Sequence, residues 1–74
     1  MQLYRNLGGN SNVKAYEIGP DYIIIQFGGG RYYMYNYEVT GKAAVEKMKA
    51  LALAGRGLGT MLATKPYHAE AKKW

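Results

Sequence analysis

Apolar and polar positions recur with two different periods along this chain, and the change of period divides it in two. From Val13 the order Val13-Lys14-Ala15-Tyr16 sends successive side chains to opposite sides, as a half-buried strand requires. The segment "YIIIQF", residues 22–27, carries three consecutive isoleucines, whose β-branched side chains pack well on a pleated surface and crowd a helix. Apolar residues fall on both its sides, which predicts a central strand covered on both faces. Between these two strands "IGPD" predicts a turn, with Pro20 presetting φ. The triple glycine at residues 28–30 predicts a hairpin loop with its bulge, because glycine takes φ > 0 without steric cost. The returning strand "RYYMYNY", residues 31–37, alternates again. Tyr33, Tyr35 and Tyr37 share one side and Tyr32, Met34 and Asn36 the other.

After Val39 the period lengthens. Thr40 offers an N-cap, Ala44, Val45, Met48, Leu51 and Ala52 recur at helical spacing, and Gly55 offers a C-cap. This predicts one amphipathic helix of roughly 13–15 residues, long enough to cover a small sheet and too short to be stable alone. Elsewhere the pattern is irregular. "NLGGNSN", residues 6–12, reads as a loop after a loosely held start. "GRGLGTML", residues 55–62, is too rich in glycine for a helix and predicts a loop running into a short strand around residues 60–63. Beyond Pro66, "YHAEAKKW" is a short helix or a frayed end. The expected fold is therefore a single α+β domain: a small antiparallel meander of three or four strands packed against one amphipathic helix.

With 74 residues, only roughly 60–65% of the unfolded surface can be buried, so each large apolar side chain matters. The chain contains no cysteine, which removes disulfides and thiolate metal sites and fits a reducing compartment. No apolar run reaches the length of a signal peptide core or a membrane span, so a cytoplasmic protein without membrane attachment is expected. The net charge of +5 is unevenly placed. Residues 1–39 balance Arg5, Lys14 and Arg31 against Glu17, Asp21 and Glu38, whereas residues 40–74 hold the whole excess. A basic half beside a neutral, tyrosine-rich half suits an anionic partner, and it also serves plain solubility.

Ser11-Asn12-Val13, a proline-containing turn, Phe27, Gly30, the pair Tyr33 and Tyr35, Val39, a helix, and a glycine-rich segment before Met61-Leu62 together resemble the KTSC domain. That module is named for its place at the C-terminus of some lysyl-tRNA synthetases, and it also occurs as a stand-alone bacterial protein. The resemblance spans roughly residues 11–64. It departs from the family pattern at Thr40, where a proline is usual, at one extra residue near Glu38, and in the absence of an asparagine after Met61-Leu62. The resemblance implies a β-meander followed by one helix, with RNA binding as the favoured function.

The inventory for catalysis is thin. One histidine, His68, and five scattered carboxylates supply neither a nucleophile–base pair nor a three-ligand metal set, with Glu70 two residues from His68 falling short. A non-enzymatic module without cofactors is expected. "GRGLGT" lacks the strand-before, helix-after context and the lysine of nucleotide-phosphate loops, so a helix cap plus turn competes there with a contact to a nucleic-acid phosphate. The tyrosine row carries two readings. Bases of single-stranded nucleic acid stack on sheet tyrosines while cations hold the backbone, which would assign Arg31, Tyr33, Tyr35, Tyr37, Lys42, Lys49 and Arg56 to an RNA site, with Tyr16 or Tyr22 joining from neighbouring strands. Tyrosine equally fills small cores, and either Tyr33, Tyr35 and Tyr37 or Tyr32 and Met34 must face the helix. The rival is a protein-interaction module on the same aromatic face, either a homodimer or a small inhibitor of the kind phages encode, since a meander leaves free edges.

Overall fold

The computed structural model describes residues 1–9, 12–64 and 72–73. Strands β1 (Gln2–Leu3), β2 (Val13–Ile18), β3 (Tyr22–Phe27) and β4 (Tyr32–Asn36) are followed by helices α1 (Lys42–Ala54) and α2 (Leu58–Thr64) and by β5 (Lys72–Lys73). All neighbours are antiparallel and the spatial order is β1-β2-β3-β4-β5. The expected α+β meander with a covering helix is present, with β3 at its centre. The fate of residues 65–71, including Pro66, His68 and Glu70, lies outside the described residues, as do Asn10, Ser11 and Trp74.

Register assigns the faces. Gln2, Tyr16, Ile25 and Tyr33 stand opposite one another along one cross-strand row, and Ile18, Ile23 and Tyr35 along the next. Since pleating sends alternate residues to opposite faces, these rows share one side, and that side meets α1. Ile23 and Ile25 are fully buried against Val45, Met48 and Ala52, with Tyr35, Tyr16, Tyr4 and Leu58 completing the cluster. The helix period is as the sequence predicts. The other face carries Tyr22, Ile24, Gln26, Tyr32, Met34 and Asn36, all half-buried, so β3 is sealed on one face only rather than on both.

Local chemistry explains the turns. At the β3–β4 hairpin Gly29 and Gly30 adopt φ of 92° and 84°, and the Phe27 N–H bonds the Arg31 carbonyl at 2.8 Å, closing the loop. The Gly30 N–H also bonds the Phe27 carbonyl at 3.1 Å, so Gly30 and Arg31 together oppose Phe27 as the expected hairpin bulge; a second bulge lies in β2, between Val13 and Ala15, where Lys14 and Ala15 together oppose Gln26. Helix α1 is capped by Gly41, at φ 102°, whose carbonyl accepts the first helical bond from the Val45 N–H at 3.1 Å, and not by Thr40, which lies one residue earlier in the turn closed by its N–H on the Asn36 carbonyl at 2.9 Å. Gly55 ends α1 in the left-handed conformation as expected.

Two expectations are corrected. Residues 60–63 are helical, within α2: Gly57 turns the chain with φ 85°, and Leu58, Met61 and Leu62 then stand at the i, i+3, i+4 spacing that packs a helix on the core. The start of the chain is not loose. Tyr4 is buried, its N–H bonds the Lys14 carbonyl at 2.9 Å, and its hydroxyl accepts the Leu58 N–H at 3.2 Å, so the first strand and the second helix hold each other. The last turn of α1 has no basic residue of its own. Arg5 supplies the charge instead, donating through Nη2 to the Leu53 carbonyl at 2.7 Å.

Met48 is fully buried at the centre of the α1 seam. Met48→Ala is expected to cost about 2–5 kcal/mol, a large share of the stability of so small a domain, whereas Lys47→Ala on the exposed face should stay within about 0.5 kcal/mol. Urea unfolding followed by circular dichroism measures both.

Candidate nucleic-acid interface

The residues that the sequence groups as one site are dispersed by the fold. Tyr35 is 5% exposed and lies within the core, so its ring offers no face to a base. Its parity is that of Ile23 and Ile25, and those isoleucines face the helix. Tyr33 is half-buried on the same side, its ring edge-on to Phe27 with centroids 5.2 Å apart. Tyr16 is buried there too. Arg31 stands exposed at the head of β4, and Arg56 stands exposed just past the C-cap of α1. Lys42 begins α1, so the helix separates it from Arg56 by roughly 20 Å at 1.5 Å per residue.

Tyr37, Lys42 and Lys49 do come together, in an arrangement that is structural in kind. The Tyr37 hydroxyl donates to Glu46 Oε2, Glu46 pairs with Lys49 Nζ at 3.0 Å, and Lys49 Nζ donates to the Pro20 carbonyl at 3.2 Å. Lys49 and Lys42 also sit over the Tyr37 ring, 5.2 and 5.8 Å from its centroid. The clasp ties the β4 exit, the first half of α1 and the β2–β3 turn. With its side chain 12% exposed and its donors committed, Lys49 is poorly placed to meet a phosphate. Lys42 is exposed and retains that freedom.

The clasp shifts its own ionisations. The Tyr37 hydrogen bond, followed by that from Lys49, holds the Glu46 carboxyl below its ordinary 4.5. The same bond to Glu46 lifts the Tyr37 phenol above 10.0. Desolvation pulls the Lys49 ammonium down, but its bonds to Glu46 and Tyr37 outweigh that and leave it raised above 10.5. A depressed carboxyl stabilises the fold above its unfolded pKa and loses that contribution as pH falls through the folded one. The raised phenol and ammonium contribute below 10.0 and lose it as pH rises further.

The open face of the sheet holds what the helix face lacks. Tyr22, Ile24, Tyr32 and Met34 lie there half-exposed, with the amides of Gln26 and Asn36 between them. Lys14 is exposed at the β2 bulge, Arg31 immediately precedes Tyr32, and Lys72–Lys73 form the strand beside β4. The Tyr22 ring is set by Gly19: a Cβ on that residue would stand 2.0 Å from a ring atom. Glycine lets the ring lie against the turn backbone. Pattern alone places Tyr22 and Tyr32 on one side of their strands; which side the helix takes is decided by Ile23 and Ile25.

Among the described residues the only buried side chains with a polar group are tyrosines, no three metal-ligating side chains gather, and no helix is long and apolar enough to cross a membrane. Comparison with protein-family models, curated proteins and solved structures returns no match.

Two outcomes test this geometry. Against Glu46→Gln, wild-type stability should fall more steeply as pH drops below about 4.5, and the two acid limbs of urea midpoint against pH should converge there. Gly19→Ala should displace the Tyr22 ring and cost about 1–3 kcal/mol by overpacking, read from urea unfolding together with the nuclear magnetic resonance shifts of the Tyr22 ring protons.

Proposed function

We propose that the chain is a small non-enzymatic nucleic-acid-binding module that takes single-stranded RNA on the open face of its sheet. The observation that carries this reading is the pair Tyr22 and Tyr32 on the face turned away from the helices, with Ile24 and Met34 between them and Arg31 and Lys14 at its border. Exposed aromatic rings on a sheet stack bases without regard to sequence, while lysine and arginine hold the phosphates. Here Arg31 and Lys14 border the face, β5 brings two lysines to the β4 edge, and the +5 charge draws the polyanion in. Lys42 and Arg56 contribute long-range attraction from the ends of α1. Tyr33, Tyr35 and Tyr37 serve the fold, and Lys49 serves the clasp. The resemblance to the KTSC domain points in the same direction, and a cytoplasmic setting belongs to the same proposal.

A fluorescently labelled short single-stranded RNA, titrated at low salt and again at moderate salt, tests the reading. Affinity should fall linearly on a logarithmic salt scale. Tyr32→Ala and Tyr22→Ala should each weaken binding by about 1–3 kcal/mol while the domain stays folded. Tyr33→Phe, on the helix face, should leave affinity unchanged. Absence of binding at low salt, or equal losses from both faces, would sink the proposal in favour of protein recognition by the same aromatic residues.

A further inference from the structure

Among the described residues, five of the six exposed large apolar side chains collect along one border of the molecule. Met1 (54% exposed) and Leu3 (77%) come from β1, Leu7 follows it, Ile18 (37%) ends β2 and Leu53 (60%) comes from α1. Leu7 is fixed at this border by its N–H bond to the Gly55 carbonyl at 2.7 Å. On the helix side of the sheet, Met1, Gln2, Tyr16, Glu17, Ile18 and Leu53 line a shallow groove of about 490 Å³. On the open side Leu3 projects alone. Between the two runs the outer rim of β1, which is one edge of the sheet, β5 being the other.

The hydrogen-bond direction of that rim follows from its partner. The Tyr4 N–H points inward to the Lys14 carbonyl, and strand groups alternate, so Leu3 directs its own N–H and C=O outward, away from β2. We propose that a second copy of this chain pairs on that rim, antiparallel, about a two-fold axis perpendicular to the sheet at Leu3. Reciprocal bonds between the two Leu3 residues satisfy both outward groups. The same axis sets Leu3 against its mate on the open face and brings the two grooves, with Met1, Ile18 and Leu53, together on the helix face. An isologous contact needs a patch complementary to itself, and apolar surface on both sides of an edge strand meets that need.

Charge selects a copy of this chain as the occupant. Two molecules of +5 repel, but the surplus belongs to residues 40–74. At this border Arg5 is bonded to the Leu53 carbonyl, Lys14 stands opposite Tyr4, and Glu17 is the one side chain lining the groove that is charged at neutral pH. The border carries Arg5 and Lys14 against Glu17 and none of the charged side chains of residues 40–74, so two copies approach there at less cost than through the basic half. Pairing there keeps both sets of helices on one side and joins the two open faces into one continuous surface, while association itself requires no nucleic acid.

Sedimentation equilibrium of the full chain without nucleic acid, over a range of concentrations, should show reversible conversion to a mass of two chains. Leu53→Arg and, separately, Leu3→Pro, which removes the outward N–H and keeps the inward Tyr4 bond, should each weaken association roughly tenfold or more, with the folded circular dichroism spectrum retained. Because the natural chain has no cysteine, Leu3→Cys supplies a single thiol. Facing pairs at about 5.5 Å between Cα atoms lie within disulfide reach, so mild oxidation should yield a covalent dimer much faster than in Val39→Cys, another exposed site. A wild-type chain that remains monomeric at every concentration, or equal cross-linking of the two cysteine variants, overturns the proposal.

Discussion

Burial of Ile23 and Ile25 beneath α1 is the constraint from which the rest of this structure follows. A strand has only two sides. Once these two side chains are sealed against Val45, Met48 and Ala52, the register across β2, β3 and β4 settles the side of every neighbour: Tyr16, Tyr33 and Tyr35 go inward, and Tyr22, Ile24, Tyr32 and Met34 go outward. A slip of one residue would reverse all of these assignments together. The hydrophobic choice at the centre of β3 therefore decides which phenols a ligand can reach, well away from any of them.

The elements themselves were largely legible in the residues. Three isoleucines mark β3, the triple glycine marks the hairpin, and the apolar spacing of residues 44–52 marks α1, because each rests on local sterics or periodicity. Reading failed where a long-range contact overrides local preference. α2 contains Gly59 and follows Gly55 and Gly57, a poor local case for a helix, yet Leu58 is fully buried beneath Tyr4, and Met61 and Leu62 join the core. β1 has two residues and no pattern of its own; it exists because Tyr4 belongs to that same contact. Two segments at opposite ends of the sequence thus stabilise each other, and neither shows it alone.

The candidate site was legible only as a choice of two faces. Alternation separates Tyr33, Tyr35 and Tyr37 from Tyr32, Met34 and Asn36, but "YIIIQF" is apolar on both sides, so its pattern does not say which side the helix takes. The cations were harder still. Charge counting treats Lys49 as one of the surplus, whereas its position one turn from Glu46 and beside Tyr37 and Pro20 commits it to the clasp. Net charge describes the long-range field, and local bonding determines which ammonium groups remain to make contacts.

Smallness links the open face to the bare border. A chain of this length has one helix long enough to cover the sheet, and α1 crosses β3 and β4. It cannot also cover the second face or the flank of β2 near Ile18, so half-buried tyrosines remain on one side and an apolar margin beside β1 on the other. A larger domain would close both with further helices. Here the uncovered surfaces differ in kind: the open face mixes phenols and amides with Arg31 and Lys14 at its rim, which suits a polyanion bearing stackable rings, while the β1 margin is dominated by Met1, Leu3, Ile18 and Leu53, which suits a like surface. Their separation by the pleat of the sheet means that the two proposed uses do not compete, since bonds that extend the sheet sideways leave the rings on its face uncovered.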